Sequence, residues 1–454
     1  MTSPEAKMYL HCTCDEDDVF VGLDFGATFS GRSTVRTAYC QVHHPERICL
    51  PPETPSKIPT ALHLNTSSNC IEYPDFPGTA TPGQDELRYF KLTLMNNSLL
   101  FDLIRNSNVA ALLELNVNAC PTGLATSEVV SIFLQGLWKQ ARTSNPRGRL
   151  HAVITWPSCW SKTTLKRLKE AVELAGIPAE SNNRVHYLTE HEAAVNAILF
   201  DHRDLCLSLR KGGHSIIVAD CGGITIVSSS PEPGSAILAG LFNWQGCQDA
   251  ATFQFEPIAP GQTRVGTISS HHTHLCGSID LDVGYKQLVT QKIKEATGLL
   301  EDDFTPRLLS ARKYAIKRWH ERIKHRYEVR TLIGGQATFE LDSGTIEIHR
   351  DEIIKIFDSV IKPISALVLK LFDEGKKKGS VPKAVFLTGG LACNPHIQVQ
   401  VKSSLQINLR HEAPQVVFGT DHNMWTAVCR GAAMFPSLLS PSGGTERKLD
   451  KMES

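Results

Sequence analysis

Residues 19–31 read VFVGLDFGATFSG, and this short stretch decides the class of fold. Its first half is a β-branched, apolar run that is typical of a buried strand, and its second half is a turn of small residues. Asp24 stands where the strand ends, so its carboxylate can meet a hydrated magnesium ion. Gly26 to Thr28 can wrap a phosphate, because a turn without bulky side chains exposes its backbone N–H groups. The stretch therefore predicts a strand that leads into an anion-binding turn.

Two later turns repeat this design after apolar strands. DCGGIT, at 220–225, puts an aspartate at the strand end and small residues in the turn, which are Asp220, Gly222, Gly223 and Thr225. TGGLACNP, at 388–395, offers Gly389 and Gly390 as a flat surface that fits under a base or a ribose. A glycine pair after a strand often marks only a tight turn, so the information lies in the three turns taken in order.

Apolar strands and amphipathic helices alternate along most of the chain. HAVITWP, at 151–157, predicts a buried strand, and the helix after it has Ser161 as N-cap and Gly176 as C-terminal stop. SIIVADCGGITIVSSS, at 215–230, predicts a hairpin that turns on Cys221–Gly223. Further strand and helix patterns cover Ser127–Arg142, 184–200, Leu288–Arg326, Asp351–Lys378, 384–390 and 427–435. We therefore predict an α/β protein with mixed sheets flanked by helices, arranged as two similar lobes.

The composition of the 454 residues is that of an ordinary globular protein, with 41% hydrophobic and 21% charged residues. The 47 basic side chains balance the 47 acidic ones, so no charge excess points to nucleic acid or to an anionic membrane. The 13 cysteines are scattered, as is typical of free thiols in a reducing compartment. The N-terminus lacks a secretory signal, and no apolar run reaches the roughly 20 residues that cross a bilayer. We predict a cytoplasmic protein, with the nucleus as an open alternative, that has neither nucleic acid nor a membrane as partner.

The three turns, in this order, resemble the signature of the actin-like ATPase superfamily. Within it, HAVITWPSCWSKTTLKRLKEAVELAGI, RVHYLTEHEAAVNAIL and THLCGSIDLDVGY are similar to segments of the nucleotide-binding domain of the heat shock protein 70 family. FKLTL, WHERIKHRY and AVCRGAA are closest to the divergent heat shock 70 kDa protein 12-like branch. The resemblance spans roughly residues 19–436 in patches. It implies an actin-like (ribonuclease H-like) fold, with a nucleotide cleft between two lobes.

The resemblance also implies a domain organisation. Lobe I is expected at 19–212 with an inserted subdomain at about 60–148, and lobe II at 213–436 with a helical subdomain at about 285–380. Residues 1–18 form an N-terminal tail and 437–454 a disordered tail in this scheme. Only about 20 residues follow the last helix, so we expect no peptide-binding domain after it.

By resemblance, the ligands are ATP or ADP with Mg²⁺, which Asp24 and Asp220 hold through water. The phosphate loops are Asp24, Gly26, Ala27, Thr28 and Phe29, then Asp220, Gly222, Gly223 and Thr225, with Gly277 and Ser278 as further phosphate contacts. The catalytic group is Asp24, Lys91, Glu190 and Asp220. The adenosine contacts are Glu321, Lys324, Gly389 and Gly390. A positioned lysine stabilises charge on the transferred phosphoryl group and a carboxylate orients the attacking water. An unknown protein partner or co-chaperone is also implied.

The second loop departs from the family pattern, in which a third glycine and a closing aspartate are usual. Ile224 stands at the glycine position and Val227 at the aspartate position. A β-branched side chain disfavours positive φ and fills the space through which the backbone approaches phosphate. Ala27 and His325 are further differences. We therefore expect that ATP binds but that its hydrolysis is slow or lost.

Two other functions remain open. The first is an interaction or scaffold protein, a pseudo-ATPase in which nucleotide only sets the angle between the lobes. The second is a sugar-type kinase on the same fold, which would need an aspartate as base between the lobes. No sugar-pocket motif is present in the sequence, and this favours the heat shock protein 70 resemblance over the kinase.

Overall fold

The computed structural model describes most of the chain. The described residues are 18–40, 44–49, 56–65, 70–74, 84–95, 123–146, 148–157, 160–178, 184–211, 214–223, 250–259, 262–267, 277–324, 336–341, 344–418 and 421–434. Thr225, Ile224, Val227 and His325 lie outside these ranges, as do both predicted tails except Asp18. No helix of the described ranges is long and apolar enough to span a bilayer.

The strands of the described ranges fall into two larger sheets and two smaller ones. In chain order they are β1 Asp18–Asp24, β2 Phe29–Cys40, β3 His44–Cys49, β4 Ser56–Pro59, β5 Ala61–Asn65, β6 Cys70–Glu72, β7 Gln84–Arg88, β8 Arg149–Trp156, β9 Val185–Thr189, β10 Ser215–Asp220, β11 Ala250–Ala259, β12 Gln262–Thr267, β13 Gln336–Leu341, β14 Gly344–His349, β15 Pro382–Thr388 and β16 Gln415–Val417.

The helices lie between these strands, as the alternating pattern predicts. They are α1 Thr126–Ser144, α2 Lys162–Leu174, α3 Glu190–Asp201, α4 Arg203–Lys211, α5 Ser278–Thr297, α6 Pro306–Arg318, α7 Arg350–Lys377, α8 Pro395–Leu409, α9 Asp421–Trp425 and α10 Ala427–Ala433. The predicted ends of α2 are confirmed. Ser161 accepts a hydrogen bond from Thr164 N at 3.1 Å, and Gly176 adopts a φ of +68° just after the helix.

The two larger sheets have the same topology. The order is β3-β2-β1-β8-β9 in the first and β12-β11-β10-β15-β16 in the second. In both sheets the central strand pairs antiparallel on one side, with β2 or β11, and parallel on the other, with β8 or β15. The remaining pairs also agree in direction, so both sheets are mixed. The chain is therefore an α/β protein that builds one five-strand arrangement twice, with β4 added to the first sheet beside β2.

The predicted hairpin on Cys221–Gly223 is wrong. β10 already has β11 on one edge and β15 on the other, and a strand has only two edges. The antiparallel partner of β10 is instead β11, which begins at Ala250. The predicted helical region at about 285–380 also holds a hairpin, β13–β14.

Helices cover both sheets on their outer faces, and the alternation of side chains in the central strands explains why. Val19, Val21 and Leu23 of β1 pack in one core with α1 and α2. Ile217 and Ala219 of β10 pack in another core with α5, α7 and α8. Successive side chains of a strand point to opposite faces, so each outer core takes alternate residues of its central strand.

The inner faces of the two sheets share a third core. Phe20 of β1 and Val218 of β10 both belong to it, together with residues of α3 and α10. The two helices lie close together, and the Asn196 side chain of α3 donates to the Gly431 carbonyl of α10 at 3.1 Å. Arg430 donates to both carboxylate oxygens of Asp201, at 2.8 and 2.6 Å. This helix pair therefore packs in the core that the two larger sheets share.

Candidate functional site

The two aspartates of the predicted loops occupy equivalent places in the repeated topology. Asp24 is the last residue of β1, and Asp220 is the last residue of β10. The turns that follow them touch, because a Cβ at Gly223 would overlap the side chain of Thr28. The structure therefore brings the first and second predicted loops together at the carboxyl ends of both central strands.

The first turn is held by Thr60, which follows β4. The Thr60 hydroxyl donates to the Gly26 carbonyl at 2.8 Å, and the Thr60 N–H donates to the Thr28 carbonyl at 2.9 Å. After the turn, the ring of Phe29 packs edge-on against Trp425 of α9, with 5.5 Å between the ring centroids. Gly26 to Phe29 thus contact both the residue after β4 and a helix from the C-terminal part of the chain.

The second and third turns form one hydrogen-bonded unit. Cys221 N–H donates to the Thr388 carbonyl at 2.7 Å, and the Cys221 carbonyl accepts from Leu391 N–H at 3.1 Å. The Thr388 hydroxyl donates to Asp220 Oδ1 at 3.3 Å. Gly389 has a φ of +86°, and a Cβ there would overlap the Cys221 carbonyl and stand 2.6 Å from Asp220 Oδ1. Only glycine fits this position, for reasons of both conformation and space.

The start of α5 is attached to the second turn. Ser278 N–H donates to the Gly222 carbonyl at 3.3 Å, and Ile279 N–H donates to the Gly223 carbonyl at 3.0 Å. Gly277, just before the helix, donates its N–H to the Asp280 carboxylate at 2.7 Å. The structure therefore places the predicted phosphate contacts Gly277 and Ser278 beside the second loop.

Lys91 and Glu190, which lie 99 residues apart, form an ion pair of 3.0 Å between Nζ and Oε1. Lys91 lies in a 3₁₀ turn at Phe90–Leu94, and Glu190 is the first residue of α3. Both side chains are buried, with exposed fractions of 6% and 13%. The Lys91 ammonium also lies 5.6 Å from the ring centroid of Phe25 and 5.1 Å from that of Trp160. The predicted catalytic lysine and carboxylate are thus direct partners.

Lys324 is buried in the second half of the molecule. Its ammonium donates to Asp282 Oδ2 at 2.7 Å, and the other oxygen of Asp282 accepts from the Trp319 indole at 2.9 Å. The backbone carbonyl of Lys324 accepts from the side-chain amide of Asn394, in the third turn, at 2.7 Å. Lys324 therefore has a structural partner, and its contact with an adenosine stays a prediction.

The other predicted adenosine contacts are Glu321, whose side chain lies outside the described part of the structure, and the glycines of the third turn. Gly390, in the third turn, lies beside the Trp425 indole. A Cβ at Gly390 would stand 3.6 Å from the indole nitrogen.

A lysine that the sequence patterns did not single out lies in the middle of this site. Lys57 of β4 forms an ion pair with Asp24, and its side chain is only 10% exposed. Burial alone would lower the pKa of Lys57, but the ion pair with Asp24 outweighs burial, with smaller contributions from Cys429 and Asp220, so the pKa is raised above its ordinary value. The lysine is therefore charged at neutral pH, and its ammonium contacts the carboxylate of Asp24.

The two aspartates do not fit a magnesium ion as the structure arranges them. One oxygen of Asp24 is occupied by the Lys57 ammonium, and Asp220 Oδ1 accepts from Thr388. A divalent cation between them would stand beside a fixed positive charge, which repels it. In the described part of the chain, no cluster of three or more His, Cys, Asp or Glu side chains is suited to a metal ion either.

No protein-family model matches the chain, and no curated protein matches it significantly. Membership of the heat shock protein 70 family therefore stays a prediction.

Proposed function

We propose that the chain is an ATP-binding protein with the actin-like ATPase fold, similar to the nucleotide-binding domain of heat shock protein 70 chaperones. The observation that carries the proposal is the repeated sheet topology, with Asp24 and Asp220 at the ends of equivalent central strands. Ligands of open α/β sheets bind outside the carboxyl ends of the strands. Here the two carboxyl ends face each other, since the turn at Gly223 touches Thr28.

The glycine turns suit a phosphate chain. Residues 26–28 and 222–223 offer backbone close to the cleft, and turns of this kind bind anions through their N–H groups. Gly389 brings the third turn against Asp220 and Cys221, so that all three turns share one wall. ATP or ADP is the ligand that combines a phosphate chain for the first two turns with a flat base for the third.

We further propose that hydrolysis is slow or absent. Lys91 and Glu190, the candidates for phosphate stabilisation and water orientation, are paired with each other and buried. Breaking a buried ion pair by removing one partner costs about 3–5 kcal/mol. While the two groups are paired, the charge of each is balanced by the other, so that each acts less strongly on a phosphate or on a water molecule.

Isothermal titration calorimetry with ATP and with ADP tests the binding. The informative variant is Gly389→Ala, because its Cβ would enter the space of Cys221 and Asp220. Gly298→Ala is the matched control, since Gly298 has a similar φ of +70° at the end of α5 but open space around its Cβ position. Both variants carry the backbone cost of about 1–2 kcal/mol for a left-handed residue. We expect the first to weaken nucleotide binding at least about tenfold and the control to leave it unchanged.

Absence of ATP and ADP binding to the wild-type chain would refute the proposal. Equal affinities for the two alanine variants would refute the position of the nucleotide at the third turn. The hydrolysis claim is separate. It fails if purified protein turns over ATP as fast as an ordinary heat shock ATPase under the same conditions.

A second candidate is a nucleotide-switched interaction protein, which α3 and α10 favour because they connect the two halves. Their bidentate ion pair, Arg430 with Asp201, lies at the place where a change of angle between the halves would be transmitted. Small-angle scattering and limited proteolysis with and without ATP test this candidate. Identical profiles in both conditions would exclude the switch.

A further inference from the structure

Three neighbouring strands place Asp24, Gly31 and Lys57 in one row. Asp24 of β1 is opposite Gly31 of β2, and Gly31 is opposite Lys57 of β4. Directly paired residues point to the same face of a sheet, so the aspartate and the lysine project from the same face. Two strand spacings separate their backbones by about 10 Å, which a lysine side chain and an aspartate side chain can bridge together.

Gly31 leaves the space through which the lysine reaches the aspartate. A Cβ at Gly31 would stand 2.9 Å from Lys57 Cε and 2.9 Å from Cys429 Sγ, both closer than ordinary contact. The aliphatic part of the lysine side chain therefore passes over Gly31, next to Cys429 of α10. The lysine, the glycine and the aspartate form one preformed arrangement, in which the ammonium is directed to the carboxyl end of β1.

The ammonium has hydrogen-bonding capacity beyond this ion pair. A lysine has three N–H donors, and within the described ranges the Lys57 ammonium donates to Asp24 alone. The lysine is nearly buried, with 10% of its side chain exposed. It lies beside Asp24, one of the two aspartates that the resemblance assigns to a hydrated divalent cation.

We propose that Lys57 is the resident cation of this site, so that adenine nucleotide binds to the chain without a divalent metal. The inference rests on the nucleotide binding proposed above. The lysine supplies the positive charge beside Asp24, and its remaining donors face the oxygens of the phosphate chain. The ligand that it recognises is a nucleoside di- or triphosphate free of metal.

Calorimetry with ADP and ATP in EDTA and in excess Mg²⁺ tests the proposal, with Lys57→Met as the variant. Methionine keeps much of the length of the lysine and removes its charge. We expect wild-type affinities in the two buffers to agree within about twofold, because the ammonium fills the role of the ion. For K57M we expect at least about tenfold weaker binding in EDTA and recovery in Mg²⁺, since the carboxylate of Asp24 has then lost the ammonium and can take a cation in its place.

Gly31→Ala is the second variant, because it keeps the charge but blocks the path of the stem. It should lose affinity in EDTA as K57M does, with secondary structure checked by circular dichroism. It therefore also decides the question if K57M does not fold. A wild-type chain that binds nucleotide at least about tenfold more tightly in Mg²⁺ than in EDTA would overturn the proposal. So would variants that bind in EDTA as tightly as the wild type.

A metal titration of the nucleotide-free protein separates this inference from the proposed function. Electron paramagnetic resonance measures bound Mn²⁺ directly. We expect no bound Mn²⁺ in the wild type, binding in K57M, and loss of that gain in the double variant Lys57→Met with Asp24→Asn. If the wild type binds no nucleotide in either buffer, the proposed function fails. The expected Mn²⁺ pattern would still support Lys57 as the resident cation. Mn²⁺ binding to the wild type as tight as to K57M would overturn it.

Discussion

The ion pair between Arg430 and Asp201 should be among the interactions that contribute most to the stability of the chain. The Arg430 guanidinium donates to both oxygens of Asp201, and further donates to the Thr426 hydroxyl and to the Asn423 carbonyl. Side-chain exposure is 6% for the arginine and 15% for the aspartate. The pair is therefore desolvated, and loss of one member leaves the other charge buried without its partner.

The expected magnitude follows from this burial. Arg430→Met or Asp201→Asn should each cost about 3–5 kcal/mol, whereas replacing both residues should cost less than the two single changes added together. Each half of the molecule has roughly 200 residues, for which 1 kcal/mol moves the melting temperature by about 2–4 °C. The single variants should therefore melt on the order of 10 °C lower.

An exposed ion pair of similar geometry is the control. Lys376 donates to both oxygens of Glu412 at 2.7 Å, but the two side chains are 49% and 41% exposed. Exposed pairs contribute about 0–1 kcal/mol, so Lys376→Met should lower the melting temperature by only a few degrees. Differential scanning calorimetry measures all variants under one condition. Equal shifts for the buried and the exposed pair would refute the reasoning that burial sets the cost.

Two further predictions concern an aspartate at the start of β1 and two cysteines. Burial alone raises the pKa of Asp18, but hydrogen bonds from His151 and Arg149 hold it well below its ordinary value. A lowered pKa stabilises the folded chain at neutral pH, and this contribution of about 2 kcal/mol is lost as the pH falls below about 4. Asp18→Asn should therefore reduce the acid sensitivity of unfolding measured from pH 6 to pH 2. Burial raises the pKa of Cys429 to about 12, so iodoacetamide at neutral pH should spare this thiol and alkylate the exposed Cys70, as mass spectrometry of the folded protein would show.

Local chemistry explains which features could be predicted from the sequence. The ends of α2 followed from Ser161 and Gly176, because an N-cap hydroxyl and a left-handed glycine act within a few residues. The strand ends at Asp24 and Asp220 followed from the change from β-branched residues to small ones. These signals depend on neighbours along the chain, and therefore the sequence alone contains them.

Features that depend on strand pairing could not be predicted in this way. The hairpin on Cys221–Gly223 was a local interpretation, and it fails because β11 and β15 occupy both edges of β10. Lys57 was missed for the same reason. Its chemistry arises only when β4 pairs with β2 and places it across Gly31 from Asp24, and no motif around residue 57 indicates that register.

The repeated topology places two similar aspartates at one site, but their surroundings differ in charge. Asp24 is neutralised by Lys57, whereas Asp220 accepts a hydroxyl hydrogen bond from Thr388. The three groups together carry one negative charge instead of two, so they repel an anionic ligand less than the two aspartates would without the lysine. The difference originates in the first half alone, because β4 is added to the first sheet and supplies the lysine. The fold thus repeats the positions of the two carboxylates, and one additional strand determines how a nucleotide would encounter them.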